Sequence, residues 1–318
     1  MFDAVALGEL LVDFACTQIN RDGYPILDAH PGGAPANFLA TIQRFGGKTA
    51  LIGKVGTDAF GQLLRKTLSD IGINDEGIIS EDDVFTTLAF VTFNEFHDRQ
   101  FSFARKPGAD TCLEQGEVVV RLIDDAKVFH FGTLSLTEEP ARGATRFAVE
   151  YARSQGILIS YDPNLRKPLW KELDNAKQQM FWGLGMADVV KMSDEEVLFM
   201  FGNESLEKIA TAIVRDYNVK LVYITLGKDG CIFANQHGVG TAGTYDDGIV
   251  VCDTTGAGDI FGGSAMWALL QTGKSPDELT LEELYRIVRF ATISAGISTT
   301  RTGGISSIPS LSEIIRRM

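Results

Sequence analysis

Metal-binding and redox spacings are missing from this sequence of 318 residues. The four cysteines, Cys16, Cys112, Cys231 and Cys252, stand far apart and form no CxxC pair. They are expected to be small core or near-core thiols in a reducing compartment, not a zinc site or a disulfide framework. The four histidines, His30, His97, His130 and His237, make no HExxH or other ligand spacing. Positive charge is also short. Lys and Arg number 29 against 42 Asp and Glu, a net charge of −13 with a pI near 4.8. That balance excludes nucleic acid and an anionic membrane as partners, and an anionic substrate must be held by a local positive site. No apolar run reaches the length of a membrane span, and the N-terminus enters strand-like sequence without a signal-peptide pattern. A cytoplasmic chain is expected, in which the Asn203-Glu204-Ser205 sequon carries no weight.

What is present suits one large α/β domain over residues 1–318. Hydrophobic residues make up 45% and charged residues 22%, enough apolar mass for a sizeable core. Residues 3–14 form an apolar β run broken by Gly8 and carrying Glu9 and Asp13; an acid there is either an edge turn or a substrate-facing carboxylate. The segment from Gln18 to Leu27 is polar and turn-rich. The run from Pro31 to Asn37 then leads into an amphipathic helix that stops at Gly46-Gly47. Gly32 and Gly33 allow close backbone approach by a ligand, and Asn37 is placed either to meet hydroxyls or to cap its helix. A strand over 49–56 and a helix over 58–71 follow.

Residues 84–106 have a different character. They are rich in Thr, Val and Phe and break between Asn94 and Arg99, the pattern of a β-hairpin. With the 15–30 excursion they are expected to build a small β lid. Its aromatic stripe, Phe85, Phe90, Phe93, Phe96, Phe101 and Phe103, leaves three readings open: contact with another chain, closure over a ligand, or burial within the domain.

From Ala126 onward strands alternate with helices. Strands are expected at 127–136, 157–166, 187–193 and 220–227, with helices to about 155 and at 170–185, 194–201, 204–217, 281–300 and 309–316. This rhythm predicts a mostly parallel central sheet with helices on both faces. Ligands of such sheets sit beyond the C-terminal ends of the strands. Asp13, Asp162, Asn164, Gly227 and the Gly256 turn are all expected at such ends, and so around one cleft.

The stretch Val251–Leu270 carries the chemistry. A β-like run breaks at Thr254-Thr255-Gly256 and continues as an apolar helix, so the backbone N–H groups of Gly256, Ala257 and Gly258 open a helix N-terminus that favours an anion. Asp259 puts a carboxylate inside that turn. A phosphate-binding loop has no use for one, whereas phosphoryl transfer needs a base beside donors that hold charge on the moving group. Familiar nucleotide motifs fail. Gly273-Lys274-Ser275 and Gly47-Lys48-Thr49 end like P-loops, but Ala268 and Ile42 stand where the first glycine belongs. Phe261 occupies the third glycine position of a dinucleotide fingerprint.

PGGAPANFLATIQRFGG and DTTGAGDIFGGSAMWALL resemble the two signature segments of the ribokinase-like PfkB carbohydrate kinases. FARKPGAD, DPNLRKPLW, KMSDEE and TLGKDG lie between them in the order that bacterial fructokinases show. The resemblance implies an α/β ribokinase-like fold with a β lid and transfer of the γ-phosphate of ATP to a sugar hydroxyl, with Mg²⁺ and, in members that need it, K⁺. It makes Asp259 the base, and Gly256, Ala257 and Gly258 the anion hole. Asp13, Gly32, Gly33, Asn37, Arg105 and Arg166 match sugar-site positions, and Lys191, Thr225, Gly227 and Gly230 match the nucleotide site. Glu196 matches a residue linked to Mg²⁺ through water, with Ser193 where many members carry Asn. Asp253, Thr255, Ser298, Arg301, Gly303 and Ser307 match the monovalent-cation loops. Fructose is the expected acceptor. Arg166 keeps 2-keto-3-deoxygluconate or another sugar open, because an arginine suits a carboxylate bidentately. A silent sugar-binding regulator is the reading from another class, and a dimer through the lid follows if its aromatic face meets a second chain.

Overall fold

The computed structural model describes residues 1–93, 99–245 and 248–318, and side chains outside 93 and 99–101. Among the described residues the strands in chain order are β1 (Phe2–Leu7), β2 (Leu11–Ile19), β3 (Pro25–Gly32), β4 (Thr49–Gly56), β5 (Asn74–Glu81), β6 (Leu88–Phe93), β7 (Arg99–Ala104), β8 (Ala126–Gly132), β9 (Leu158–Asp162), β10 (Val189–Ser193), β11 (Leu221–Thr225), β12 (Cys231–Asn235) and β13 (Gly238–Ala242). They form a nine-stranded sheet, β13-β12-β11-β10-β9-β8-β1-β4-β5, and a four-stranded sheet, β3-β2-β6-β7. The large sheet is parallel except at β11-β12-β13. No helix of the described residues is long and apolar enough to cross a membrane.

Strand periodicity explains the layering. Val5 and Leu7 of β1 face one core, and Ala4 and Ala6 face the other. Helices Ala141–Ser154, Leu173–Met186 and Leu206–Asp216 cover the first face. Helices Ala34–Arg44, Ala59–Ile71, Ala257–Thr272 and Leu281–Ser298 cover the second. Local rules set the helix ends well: Asp58 accepts from the N–H of Phe60 and Gly61, and Gly72 closes that helix in the left-handed conformation.

The N-terminal run departs from its expected form. Residues 3–14 are not one strand; the chain leaves the large sheet after Leu7, turns through Gly8-Glu9-Leu10, and enters the small sheet at Leu11. Leu10, Leu11 and Val12 are buried like Ala4–Leu7, so hydropathy runs on through the change of sheet. Asp13 therefore stands within a lid strand and not at the C-terminal end of a body strand. The lid also begins earlier than residue 15 and includes β3 to Gly32. The central strands are shorter than expected: β8 stops at Gly132 and β9 at Asp162, so Asn164 lies in the loop beyond β9. Cys252 is exposed, unlike the buried Cys231.

The aromatic stripe divides. Phe14 stacks on Phe90 at 5.3 Å and meets Phe60 edge-on at 5.5 Å, which ties the lid to helix Ala59–Ile71. Phe85 touches Phe60 but stays half exposed, and Phe103 lines the cleft. Phe96 and His97 lie outside the described residues, as do the side chains of Phe93 and Phe101. Replacing Phe14 by Ala removes two aromatic pairs worth about 0.5–1.5 kcal/mol each, so urea unfolding is expected to show a loss of about 1–3 kcal/mol.

Candidate active site

The small sheet faces the C-terminal ends of the central strands across a cavity of about 480 Å³. The lid contributes Leu11, Asp13, Val91 and Phe103; the body contributes the 164–168 loop, Ser193, Glu195, Glu196, Thr254–Gly256 and Asp259. Glu9, Gly33, Ala34 and Asn37 line the junction between them. The parallel sheet thus delivers its loops to one mouth, as strand direction requires.

The helix Ala257–Thr272 starts at Gly256, whose φ of 73° is left-handed. Glycine adopts that conformation without strain, and Gly256 lines the cavity together with Thr254, Thr255 and Asp259. Asp259 sits in the first turn, where Asn37 Nδ2 donates to its Oδ2 at 2.8 Å. Asn37 Oδ1 is buried without a protein partner, an acceptor suited to a hydroxyl ligand. Burial raises the Asp259 carboxyl from 3.8 to about 6, with Asp162 adding to the rise while Asn37, Lys191 and Arg166 oppose it. Asp13 is pushed to about 7, again chiefly by burial, against the pull of Arg166.

Glu9 is buried at the hinge between sheets, and its Oε1 accepts from the Ala34 N–H at 3.1 Å. Burial holds its carboxyl at about 7. Gly33, at φ 113°, lines the cavity and is also packed tightly on the chain: a Cβ there would lie 2.4 Å from the Glu9 carbonyl oxygen. Gly32 similarly abuts Asp13 and is absent from the cavity lining.

Arg166 lines the cavity, and among the described residues no carboxylate pairs with it at contact distance; its Nη1 only leans on the Leu165 carbonyl at 3.4 Å. Arg105 does not reach the cavity as expected. Its Nε and Nη2 bind Asp110 at 2.8 and 2.7 Å, Nη1 binds Thr137 at 2.9 Å, and Nη2 also meets the Leu134 carbonyl at 3.0 Å. With its donors engaged inside the fold, it fastens β7 to the body. Glu196 accepts from the N–H of Leu165 at 2.7 Å and of Ser193 at 2.8 Å, and Ser193 Oγ accepts the Glu196 N–H in return. This capping box fixes the helix Asp194–Phe201 and explains what serine does at position 193.

The expected nucleotide residues separate into two places. Thr225, Gly227 and Gly230 lie at and after the end of β11, where Thr244 Oγ1 donates to the Gly227 carbonyl at 3.0 Å. Lys191 does not join them; it lies under the base, with Nζ 3.0 Å from Asp162 Oδ2. The cation-loop residues do come together. Asp253 accepts from Thr255 N and Oγ1 at 2.9 and 2.7 Å and from Gly303 N at 2.9 Å. The Ser298 and Ser307 hydroxyls bind the carbonyls of Ala295 and Gly304, and Arg301 pairs with Glu313. The two serine hydroxyls keep lone pairs free beyond these bonds, whereas the Arg301 side chain, having no acceptor, could serve a cation only through its main-chain oxygen.

Sequence reasoning missed three members of a polar row in β8–β11, His130, Ser160 and Tyr223, and placed the fourth, Lys191, with the nucleotide. Its signal was a polar or hydroxyl-bearing residue inside each otherwise apolar strand of a sheet buried on both faces.

The family model described as "pfkB family carbohydrate kinase" matches residues 1–311. A fructokinase-2 of Solanum lycopersicum is 39% identical over 98% of this chain and 94% of its own length. A putative ribokinase II from E. coli in complex with ATP and Mg²⁺ superposes with a TM-score of 0.88 at 26% identity, covering 100% of both chains. A double-mutant fructokinase from Vibrio cholerae O395, with fructose, ADP and potassium ion bound, superposes at 0.86 with 27% identity, covering 99% of this chain and 98% of that one.

The raised carboxyls make a stability prediction. Glu9, Asp13 and Asp259 hold their protons more tightly folded than unfolded, so each contributes stability fully present below its unfolded pKa and lost as pH rises through about 6–7. The ligand-free melting temperature is expected to fall between pH 5 and 8, and Glu9→Gln to flatten that fall. A melting temperature that climbs over this range contradicts the assignment.

Proposed function

The chain belongs to the pfkB family of carbohydrate kinases, and we propose that it transfers the γ-phosphoryl group of ATP to D-fructose, giving ADP and fructose 6-phosphate. The observation that carries the chemistry is Asp259, half-buried in the first turn of a helix and lining the same cavity as Gly256, the residue that opens that helix. Its Oδ1 and Oδ2 offer a base near neutral pH, with Asn37 holding one oxygen in place. The acceptor hydroxyl gives its proton to Asp259 as its oxygen attacks the γ-phosphorus; the β–γ bridging oxygen leaves with ADP. The Gly256–Gly258 amides and the helix dipole take up charge on the transferring group.

Asp13, Asn37 and Arg166, which all line the cavity, are assigned to the sugar. The residues fit a hard divalent cation: Glu195 is exposed at the cavity edge, and Glu196 has lone pairs beyond its two amide bonds. They would hold Mg²⁺ through water, and the ion would shield triphosphate charge. Asp253, Thr255 and the 298–307 loop are assigned to K⁺, supported by the bonds that join them. With ATP as donor, the cytoplasm is the proposed compartment.

A positioned base contributes about 10²–10⁴-fold in rate, so Asp259→Asn is expected to fold and bind ATP while kcat falls by at least about 100-fold. Near-normal kcat would remove Asp259 from the role. ADP release measured across fructose, 2-keto-3-deoxygluconate, ribose and adenosine tests the acceptor: the highest kcat/KM belongs to fructose. Preference for the keto acid would reassign Arg166 to its carboxylate, and no turnover with any of them would favour a silent sugar-binding protein.

Ile19, Tyr24 and Ile26 are exposed at the far end of the β2–β3 hairpin, and this apolar tip supports a homodimer through the lid. Sedimentation at micromolar concentration is expected to give twice the chain mass; a monomer there counts against it.

A further inference from the structure

Behind Asp259, under helix Ala257–Thr272, lies a second, small cavity with room for the centre of a water molecule over about 20 Å³. One ordered water needs roughly 10–15 Å³ on that measure, together with polar partners. The walls supply them. Lys191 and Tyr223 are directly paired neighbours on β10 and β11, so their side chains leave the sheet on the same face. His130 and Ser160 are paired likewise on β8 and β9, with His130 Nδ1 2.9 Å from Ser160 Oγ. Both pairs line this cavity, as do Asp162 and Asp259.

Tyr223 is the residue without an explanation. It is 2% exposed, its ring packs edge-on against Phe261 at 5.8 Å, and its Oη has no partner in the protein. A buried hydroxyl left unbonded costs about 1–3 kcal/mol, so such groups are normally satisfied, by water where the protein offers nothing. Lys191 Nζ has three donors, of which one meets Asp162. The ammonium also rests against the catalytic turn: a Cβ on Gly258 would lie 2.9 Å from Nζ.

We propose that this cavity holds one ordered water joining Tyr223 Oη to the Lys191 ammonium, and that Tyr223 thereby acts as a positioning residue for the base. The water fixes Lys191 between Asp162 and Asp259 and keeps its charge beneath Gly258. The groups that face Asp259 are Asp13 from the lid, Asn37 from helix Ala34–Arg44, Asp162 and Arg166 at and after β9, and Lys191 from β10. Burial and Asp162 push its carboxyl up; the Asn37 hydrogen bond opposes them, and Lys191 and Arg166 are the cations that hold it down. Lys191 itself stays charged, because Asp162, Glu196 and Asp259 surround it. Loosening Lys191 therefore raises the pH at which Asp259 becomes a base.

The consequence for turnover rests on Asp259 being the base, and the test separates the two claims. In Tyr223→Phe the acid limb of the kcat/KM profile is expected to move up by about half a pH unit, and in Lys191→Met by about one to two, the span an adjacent opposite charge commands. The melting temperature of Tyr223→Phe is expected to fall by about 1–2 °C, the equivalent of one lost hydrogen bond in a chain of this length. A Tyr223→Phe protein with an unmoved acid limb, or one that melts higher because an unbonded hydroxyl has been removed, overturns the proposal. The ¹³C carboxyl titration of Asp259, assigned by its loss in Asp259→Asn, reads the same shift without turnover. A chain that phosphorylates no sugar would thus refute the kinase reading while the water and its effect on Asp259 are still decided by titration and melting.

Discussion

Carboxyl groups crowded out of water at one end of a parallel sheet are the constraint on which this molecule turns. Asp259, Asp162, Asp13 and Glu196 share that end, and burial is the largest influence on each of the shifted ones. Burial and Asp162 push the Asp259 carboxyl up; the Asn37 hydrogen bond, then Lys191 from a strand and Arg166 from the loop beyond one, oppose them. Register places Lys191 there: on β10 it faces helix Ala257–Thr272, while Val190 and Met192 face the opposite core. A one-residue slip would bury the ammonium among aliphatic side chains and leave Asp162 unpaired.

The lid answers a different requirement. A sugar presents hydroxyls on several sides, and the sheet ends reach only one. Asp13 comes from the lid to cover another, and Phe103 and Val91 add apolar surface to the same wall. The lid stays connected to the base through its hinge. Glu9 caps helix Ala34–Arg44, the helix that carries Asn37, and Arg105 binds the end of β7 to Asp110 and to the 134–137 turn. Thr87, just before β6, also bonds to Asp110. This buried polar network joins the two sheets alongside the apolar run Leu10–Val12 and the Phe14–Phe60 contact, adding directional bonds to their relative position.

Much of this was legible locally. The Gly256 turn, Asp259 in its first helical turn, and the capped helices follow from residue types and spacings that act over a few positions. The hairpin of β6 and β7 did as well. Arg105 was misread for a physical reason: an arginine in a lid looks the same in sequence whether its fork meets a ligand or Asp110. Asp13 was rightly assigned to the cleft but on the wrong strand type, because apolar residues continue unbroken from Ala4 to Val12. Lys191, Tyr223, His130 and Ser160 were each visible as interruptions of apolar strands, yet nothing in one strand says which residue lies beside it in the next.

The sequence by itself determined the class of fold, the glycine turn that opens helix Ala257–Thr272 and the carboxylate in its first turn, since dihedral preference, capping and helix polarity are properties of neighbouring residues. Only the tertiary structure decided that β2 leaves the large sheet for the lid, that Arg105 is an internal fastening, and that Lys191 stands beneath the base and apart from the nucleotide loops. Those outcomes depend on strand order and register. Contacts between residues far apart in the chain set both, and no local period encodes them.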